Sequence, residues 1–264
     1  VITKWIGGIS ESWSAQTNNA LIDEVVVPIM KIGVLKTDDV REQLVGEFGE
    51  YPEMFAELLR REDPSLEFVT YEVQHGHYPE DIDEVDAYLI TGSKTGVYDA
   101  QPWIAPLMDF VRELHRREKP TLGICFGHQL IAHALGGETR KSEKGWGVGV
   151  HSYEIQETPG WMVEPLESFS LLVSHQDQVM TPAPGTRVIA SSDFCPYALL
   201  QVGEHMLTMQ AHPEFTKPYS QGLMELRKEV FGEDMVEKGK DSLQNDIHTS
   251  AVARWMLAFL KSAA

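Results

Sequence analysis

Residues Gly123-Ile124-Cys125-Phe126-Gly127-His128-Gln129 constrain this chain more than any other stretch. They set a cysteine at the centre of a G-x-C-x-G turn, between the short apolar run Thr121-Leu122-Gly123-Ile124 and a helical one. Leu130, Ile131, Ala134 and Leu135 recur at helical spacing, and Gly136-Gly137 supplies a stop. A glycine two residues either side of the cysteine lets strand and helix approach closely around a strained turn. This is the nucleophile-elbow geometry of serine enzymes, here carrying a thiol. A thiol so placed lies at the positive end of a helix dipole, which favours the reactive thiolate. The heptapeptide alone also fits a buried structural cysteine between two packing glycines.

A second segment narrows the choice. Met209-Gln210-Ala211-His212-Pro213-Glu214-Phe215 follows the strand-like run His205-Met206-Leu207-Thr208. Proline biases the residue before it toward extended geometry, and side chains two apart in an extended segment point the same way, roughly 6–7 Å apart. His212 and Glu214 therefore share a face. One imidazole nitrogen can serve the thiol and the other the carboxylate, the geometry of a Cys-His-Glu triad.

The elbow G-I-C-F-G-H-Q and the strand-end Q-A-H-P-E resemble the class I (triad) glutamine amidotransferases. The nearest resemblance is to the glutaminase domain of GMP synthase and its free-standing relatives, the plant γ-glutamyl peptidases among them. Further segments agree in order from about Met30 to Phe215. Tyr88-Leu89-Ile90-Thr91-Gly92-Ser93 resembles the strand and turn that supply half of the family's oxyanion hole. Gly145-Trp146-Gly147-Val148-Gly149 resembles the segment after the elbow helix, and Ser174-His175-Gln176-Asp177 the S-H-x-D segment beside bound glutamine. The resemblance implies catalytic Cys125, His212 and Glu214, with an oxyanion hole from the backbone N–H groups of Phe126 and of Gly92 or Ser93. It also implies substrate binding by Ser93, Gln129, Ser174, His175, Gln176 and Asp177.

Apolar periodicity supports such a fold independently. Strands are expected at Lys31–Lys36, Leu66–Val73, Asp86–Ile90 and Thr121–Ile124, and helices through Tyr51–Arg61 and Pro102–Arg117. This β-α-β-α-β alternation argues for an α/β fold of three layers, a mostly parallel sheet with helices on both faces, flavodoxin-like in the family's manner. After Gly137, short runs at Val148–Ile155, Phe169–Val173, Arg187–Ala190, Ala198–Val202 and His205–Gln210 suit antiparallel additions at one side. Lys228–Asp241 reads as a solvated helix end and loop, and Asp246–Leu260 as an amphipathic helix packing through Ile247, Val252, Trp255, Met256 and Phe259. The domain is expected to span 30–264. Residues 1–29 are expected to lie outside it as an N-terminal extension; the alternative is an arm that packs through Leu21-Ile22 and Val25-Val26-Val27.

Composition bounds the remaining classes. With 22 Lys+Arg against 40 Asp+Glu, the formal charge of −18 repels phosphate backbones and anionic lipid, so neither nucleic acid nor membrane is expected as a partner. Two cysteines in 264 residues make no disulfide framework and suit a cytoplasmic setting. Cys195 is expected to be structural. His128 and His133 lie five apart on a helix, and His75-Gly76-His77 lacks an acidic or thiol partner, so no metal and no cofactor are expected. No P-loop and no S-G-G-x-D-S stretch of an ATP pyrophosphatase occurs in the sequence.

The default expectation is therefore a glutaminase. Cys125 attacks the side-chain amide of glutamine, His212 protonates the leaving ammonia, and water releases glutamate from a γ-glutamyl thioester. The ammonia then passes to a separate synthase subunit, if there is one. Two alternatives stand beside it: a γ-glutamyl peptidase or hydrolase using the same triad, and a non-catalytic regulatory or binding subunit on this fold.

Overall fold

The computed structural model describes residues 29–263. The expected N-terminal extension, with its two apolar runs, lies outside the described residues except for exposed Ile29.

Along the chain, β1 (Lys31–Lys36) leads through α1 (Glu42–Phe48) and α2 (Tyr51–Arg60) to β2 (Glu67–Glu72) and β3 (Ala87–Ile90). The first half continues with α3 (Ile104–Arg116), β4 (Thr121–Ile124) and α4 (Phe126–Ala134). The second half is richer in strands: β5 (Glu138–Lys141), β6 (Gly147–Ile155), β7 (Ser168–His175), β8 (Asp177–Thr181), β9 (Thr186–Ser191), β10 (Leu199–Val202) and β11 (Met206–Met209). Four helices follow: α5 (Lys217–Leu226), α6 (Lys228–Phe231), α7 (Glu233–Ser242) and α8 (Thr249–Ala263).

Nine strands form one sheet in the order β2-β1-β3-β4-β11-β10-β9-β6-β7. The first five are mutually parallel, and the remaining four add antiparallel on one side, as the sequence periodicity predicts. Alternate residues of the parallel strands enter different layers. Ile32, Val34, Leu89, Leu122, Ile124 and Leu207 join one core with Phe55 and Leu59 of α2 and Trp255, Met256 and Phe259 of α8. Leu35, Tyr88 and Ile90 face the other way, onto Leu107 and Val111 of α3 and Leu130 and Ile131 of α4. Each such side chain contributes about 1.5–3 kcal/mol when fully buried, so helices cover both faces for the same reason. The expected three-layer, mostly parallel α/β fold is present.

Three local expectations change. Glu138–Lys141 and Asp177–Thr181 pair as a separate two-stranded sheet, unread in the sequence because only Thr139 of the first strand is buried. The segment 228–241 is not a solvated loop but two helices. The charged surface of α7 conceals a buried stripe at Val236 and Gly239, where a Cβ on Gly239 would lie 2.9 Å from Cγ2 of Val148 in β6. The last helix begins at Thr249, so Ile247 precedes it and packs from the loop.

Because β3, β4 and β11 are parallel neighbours, their carboxyl ends open at one edge of the sheet. In such sheets that edge is where ligands bind.

Candidate active site

Cys125 sits between β4 and α4 with φ 50° and ψ −96°, a region that non-glycine residues rarely occupy. Its neighbours hold it there. A Cβ on Gly127 would lie 2.5 Å from the carbonyl oxygen of Ile90, and one on Gly123 would lie 2.9 Å from the Gly127 carbonyl. The helix thus approaches β3 and β4 more closely than any side chain allows. The Cys125 N–H donates to the Met209 carbonyl at 2.8 Å, and its carbonyl accepts from the Gln129 N–H at 3.0 Å. The elbow is bonded to β11 on one side and starts the helix on the other.

His212 and Glu214 follow β11 and share a face, as their spacing predicts. The imidazole Nδ1 lies 2.7 Å from Oε1 of Glu214, and both side chains are buried. The ring stacks on Phe215 at 3.9 Å between centroids, with planes 8° apart, and its backbone N–H donates to the Leu172 carbonyl at 2.9 Å. Gly92 locates thiol and imidazole together: a Cβ there would lie 2.9 Å from Cε1 of His212 and 3.6 Å from Cβ of Cys125. Burial alone would pull the imidazole pKa down. The carboxylate of Glu214, then the charge and hydrogen bond of Cys125, outweigh it and push the value up to about 10. His212 therefore carries its proton through the neutral range, between an acid that steadies it and a sulfur it can serve.

The other expected site residues divide by what they touch. Phe126 is fully buried against Trp103, so what it can offer the cleft is its backbone N–H, unpaired at the first turn of α4. The Gly92 carbonyl accepts from Oγ1 of Thr37, which holds the turn after β3. The Gln129 amide donates to the Asp177 carbonyl at 2.8 Å and to Oε1 of Gln210 at 3.0 Å. The Asp177 carboxylate accepts from the Tyr98 hydroxyl at 2.7 Å, while burial raises its pKa. His175 is fixed by its Nδ1 contact with the Asp177 backbone carbonyl at 3.1 Å, and burial pushes its pKa down to about 3, leaving it neutral.

Two cavities, of about 330 and 280 Å³, meet over the cysteine, with Ser93, Lys94, Cys125, Ser174 and Arg227 lining both. His212 and Gly92 belong to the first lobe alone. Gln129, His175, Gln176 and Asp177 line the second alone.

Several residues here were not legible as site residues. The Gln210 amide donates to Sγ of Cys125 at 3.5 Å; its place in Q-A-H-P-E carried the signal, two residues before the histidine. Asp38 accepts from the backbone N–H and the Nζ of Lys94, at 2.8 and 2.7 Å, tying the end of β1 to the turn after β3. Arg227 comes from the C-terminal end of α5, and nothing in its charged surroundings marks it. By contrast Cys195 is buried and pushed up to about 12 by that burial, a resting thiol in the core. His128 is wholly buried against Oγ1 of Thr208 at 2.8 Å and pushed down to about 3 by burial. Among the described residues no group of three or more His, Cys, Asp or Glu is placed to hold a metal ion, and no helix is long and apolar enough to cross a membrane.

The profile of the family described as "Glutamine amidotransferase class-I" matches residues 47–229. Gamma-glutamyl peptidase 2 of Arabidopsis thaliana is 31% identical over 215 residues, which cover 78% of this chain and 83% of that protein. One of the subunits of the glutamine-hydrolyzing GMP synthase of Sulfolobus acidocaldarius is 33% identical over 137 residues, 51% of this chain and 70% of that one. A solved glutamine amido transferase from Methylobacillus flagellatus has a TM-score of 0.70, covering 89% of this chain and 94% of its own at 18% identity, a likeness of fold.

Proposed function

The chain belongs to the class I glutamine amidotransferase family, and on that premise we propose that it hydrolyses γ-glutamyl amide bonds, with Cys125 as nucleophile. The observation that carries this reading is the buried imidazole of His212, 2.7 Å from Glu214 and beside the strained cysteine in the lining of one cleft. The sulfur attacks the γ-carbonyl carbon, and negative charge gathers on its oxygen. The backbone N–H groups of Phe126 and of Gly92 or Ser93 are the donors for that charge; one such donor is worth about 3–4 kcal/mol of barrier. As the C–N bond breaks, the His212 proton goes to the departing nitrogen, leaving a γ-glutamyl thioester on Cys125. Water then adds, surrendering a proton to the now neutral imidazole, and glutamate leaves as the thiolate returns. Glu214 keeps His212 in the productive tautomer throughout.

The lobe lined by Gln129, His175, Gln176 and Asp177 suits the amino-acid end of the γ-glutamyl group. The other lobe adjoins His212, the proton donor to the leaving group, so the departing fragment faces it. Ammonia needs almost none of its roughly 330 Å³. That surplus favours γ-glutamyl peptides or amines over free glutamine, as does likeness to a γ-glutamyl peptidase over most of both chains. Glutamine hydrolysis feeding a separate ammonia-accepting synthase subunit is the second reading, supported by the likeness to one chain of a multi-subunit GMP synthase. A substrate panel with glutamate and ammonia both measured separates the two. Peptide turnover above glutamine turnover is expected. Efficient ammonia release from glutamine, with γ-glutamyl dipeptides inert, would establish the amidotransferase reading instead. Failure of a glutamine-mimicking electrophile to label Cys125 would point to a non-catalytic role.

The charge on His212 also fixes a pH dependence. Its pKa in the fold, about 10, lies above the ordinary 6.5. Stability from the pair is therefore complete below about pH 6.5 and is lost as pH rises through about 10. Glu214→Gln removes the opposing carboxylate and lets burial pull the value back. The alkaline limb of kcat/KM is expected to move toward acid by about one unit or more. An unmoved limb would mean that Glu214 does not hold the proton on His212.

A further inference from the structure

Arg227 reaches the line where the two lobes meet, opposite Cys125. Its guanidinium lies over the rings of Trp146 and Phe231, at 4.7 and 4.6 Å from their centroids, and donates to Oγ of Ser174 at 3.4 Å. Its Nε is buried with no hydrogen-bond partner, and the guanidinium makes no ion pair among the described residues. Arg227 is half-buried, and holding even part of a guanidinium out of water without an anion is costly. Two aromatic faces recover part of that cost and fix its direction. A planar fork held in this way is preorganised for bidentate contact with a carboxylate.

The lobe beside His212 states which carboxylate. Its acids are mostly committed: Asp38 to Nζ of Lys94 at 2.7 Å, and Asp39 to Nζ of Lys36 at 2.6 Å. Glu42, on the exposed rim, is the remaining one. Arg41 lines the same lobe without an ion-pair partner among the described residues. It acts on Arg227 strongly enough to add to the lowering of its pKa that burial begins. Two like charges lining one cavity draw an anion into it. The second lobe has its own cation, Lys141, for the α-carboxylate of the γ-glutamyl group, together with Asp99 and Asp177 for its amine.

We infer that Arg227, assisted by Arg41, is a specificity-determining residue that binds the carboxylate of the departing amino acid, so that the substrates are γ-glutamyl peptides with a free carboxylate on the leaving side. This rests on the γ-glutamyl hydrolase reading and narrows it.

The test compares γ-glutamyl-alanine with γ-glutamyl-alaninamide, which differ only in that carboxylate. The wild-type protein is expected to favour the acid in kcat/KM by about tenfold or more, the ordinary worth of a charged hydrogen bond. Arg227→Gln should bring the ratio of the two close to one, and Arg227→Lys should keep part of it. Arg41→Gln, at an exposed position whose side chain makes no hydrogen bond or ion pair among the described residues, should lower the ratio severalfold and repeats the test should Arg227→Gln not fold. Equal wild-type turnover of acid and amide overturns the inference and leaves the hydrolase reading intact. So does an Arg227→Gln protein that loses activity on both substrates in equal measure, since that places the guanidinium at the γ-glutamyl end or in the scaffold. An unchanged ratio in Arg41→Gln removes that residue's part. A wild-type protein that cleaves neither compound overturns the hydrolase reading and this inference with it.

Discussion

Cys125→Ala is expected to lower hydrolysis of every γ-glutamyl substrate by at least about 10⁴-fold, the scale on which removing a triad nucleophile acts. The loss should fall on kcat, because the other groups lining the lobes that hold the substrate are unchanged. Mass spectrometry of rapidly quenched wild-type protein should find a γ-glutamyl adduct on the peptide containing Cys125 and none on that containing Cys195. A His212→Ala change should cost a comparable amount. The double variant should be little worse than either, since the two groups act as one unit. Substantial hydrolysis by the Cys125→Ala protein would sink the mechanism outright.

The second large effect is on stability. A methyl group at residue 127 would sit 2.5 Å from a backbone carbonyl of β3, and a carbonyl within a sheet cannot swing aside like the end of a side chain. Gly127→Ala should therefore cost about 3 kcal/mol, at the upper end of overpacking penalties. For a chain of this size that lowers the melting temperature by roughly 6–12 °C. Because the clash lies two residues from Cys125, activity should fall even below the melting transition. Gly46 is the internal control. It lies within α1 with nothing within 4 Å of a Cβ, so Gly46→Ala should be neutral or stabilise by up to about 1 kcal/mol. Equal melting temperatures for the two variants would show that the elbow is not packed as tightly as described.

The parallel half of the sheet was legible because β1, β3, β4 and β11 are short apolar runs beside amphipathic helices, and burial leaves such strands few other residues to use. The elbow and the His212–Glu214 pair were legible for a local reason: glycine spacing and strand alternation fix their geometry within a few residues. What escaped is long-range or polar. β5 carries almost no apolar signal and exists through its partner β8. The buried stripe of α7 consists of one valine and one glycine in a run of charges. Arg227 stands 102 positions after Cys125, and the packing of α5 against β6 and β7 brings it to the cleft. No pattern within its own helix encodes that.

β7 stands last in the order of the sheet, yet the carbonyl of Leu172 in its middle accepts the main-chain N–H of His212, four places inward. The margin of the molecule is thereby fastened to the residue proposed to ferry the proton. Deuterium uptake at that one amide consequently gauges fraying of the outermost ribbon, and any ligand that quiets the ribbon should slow uptake at the triad as well.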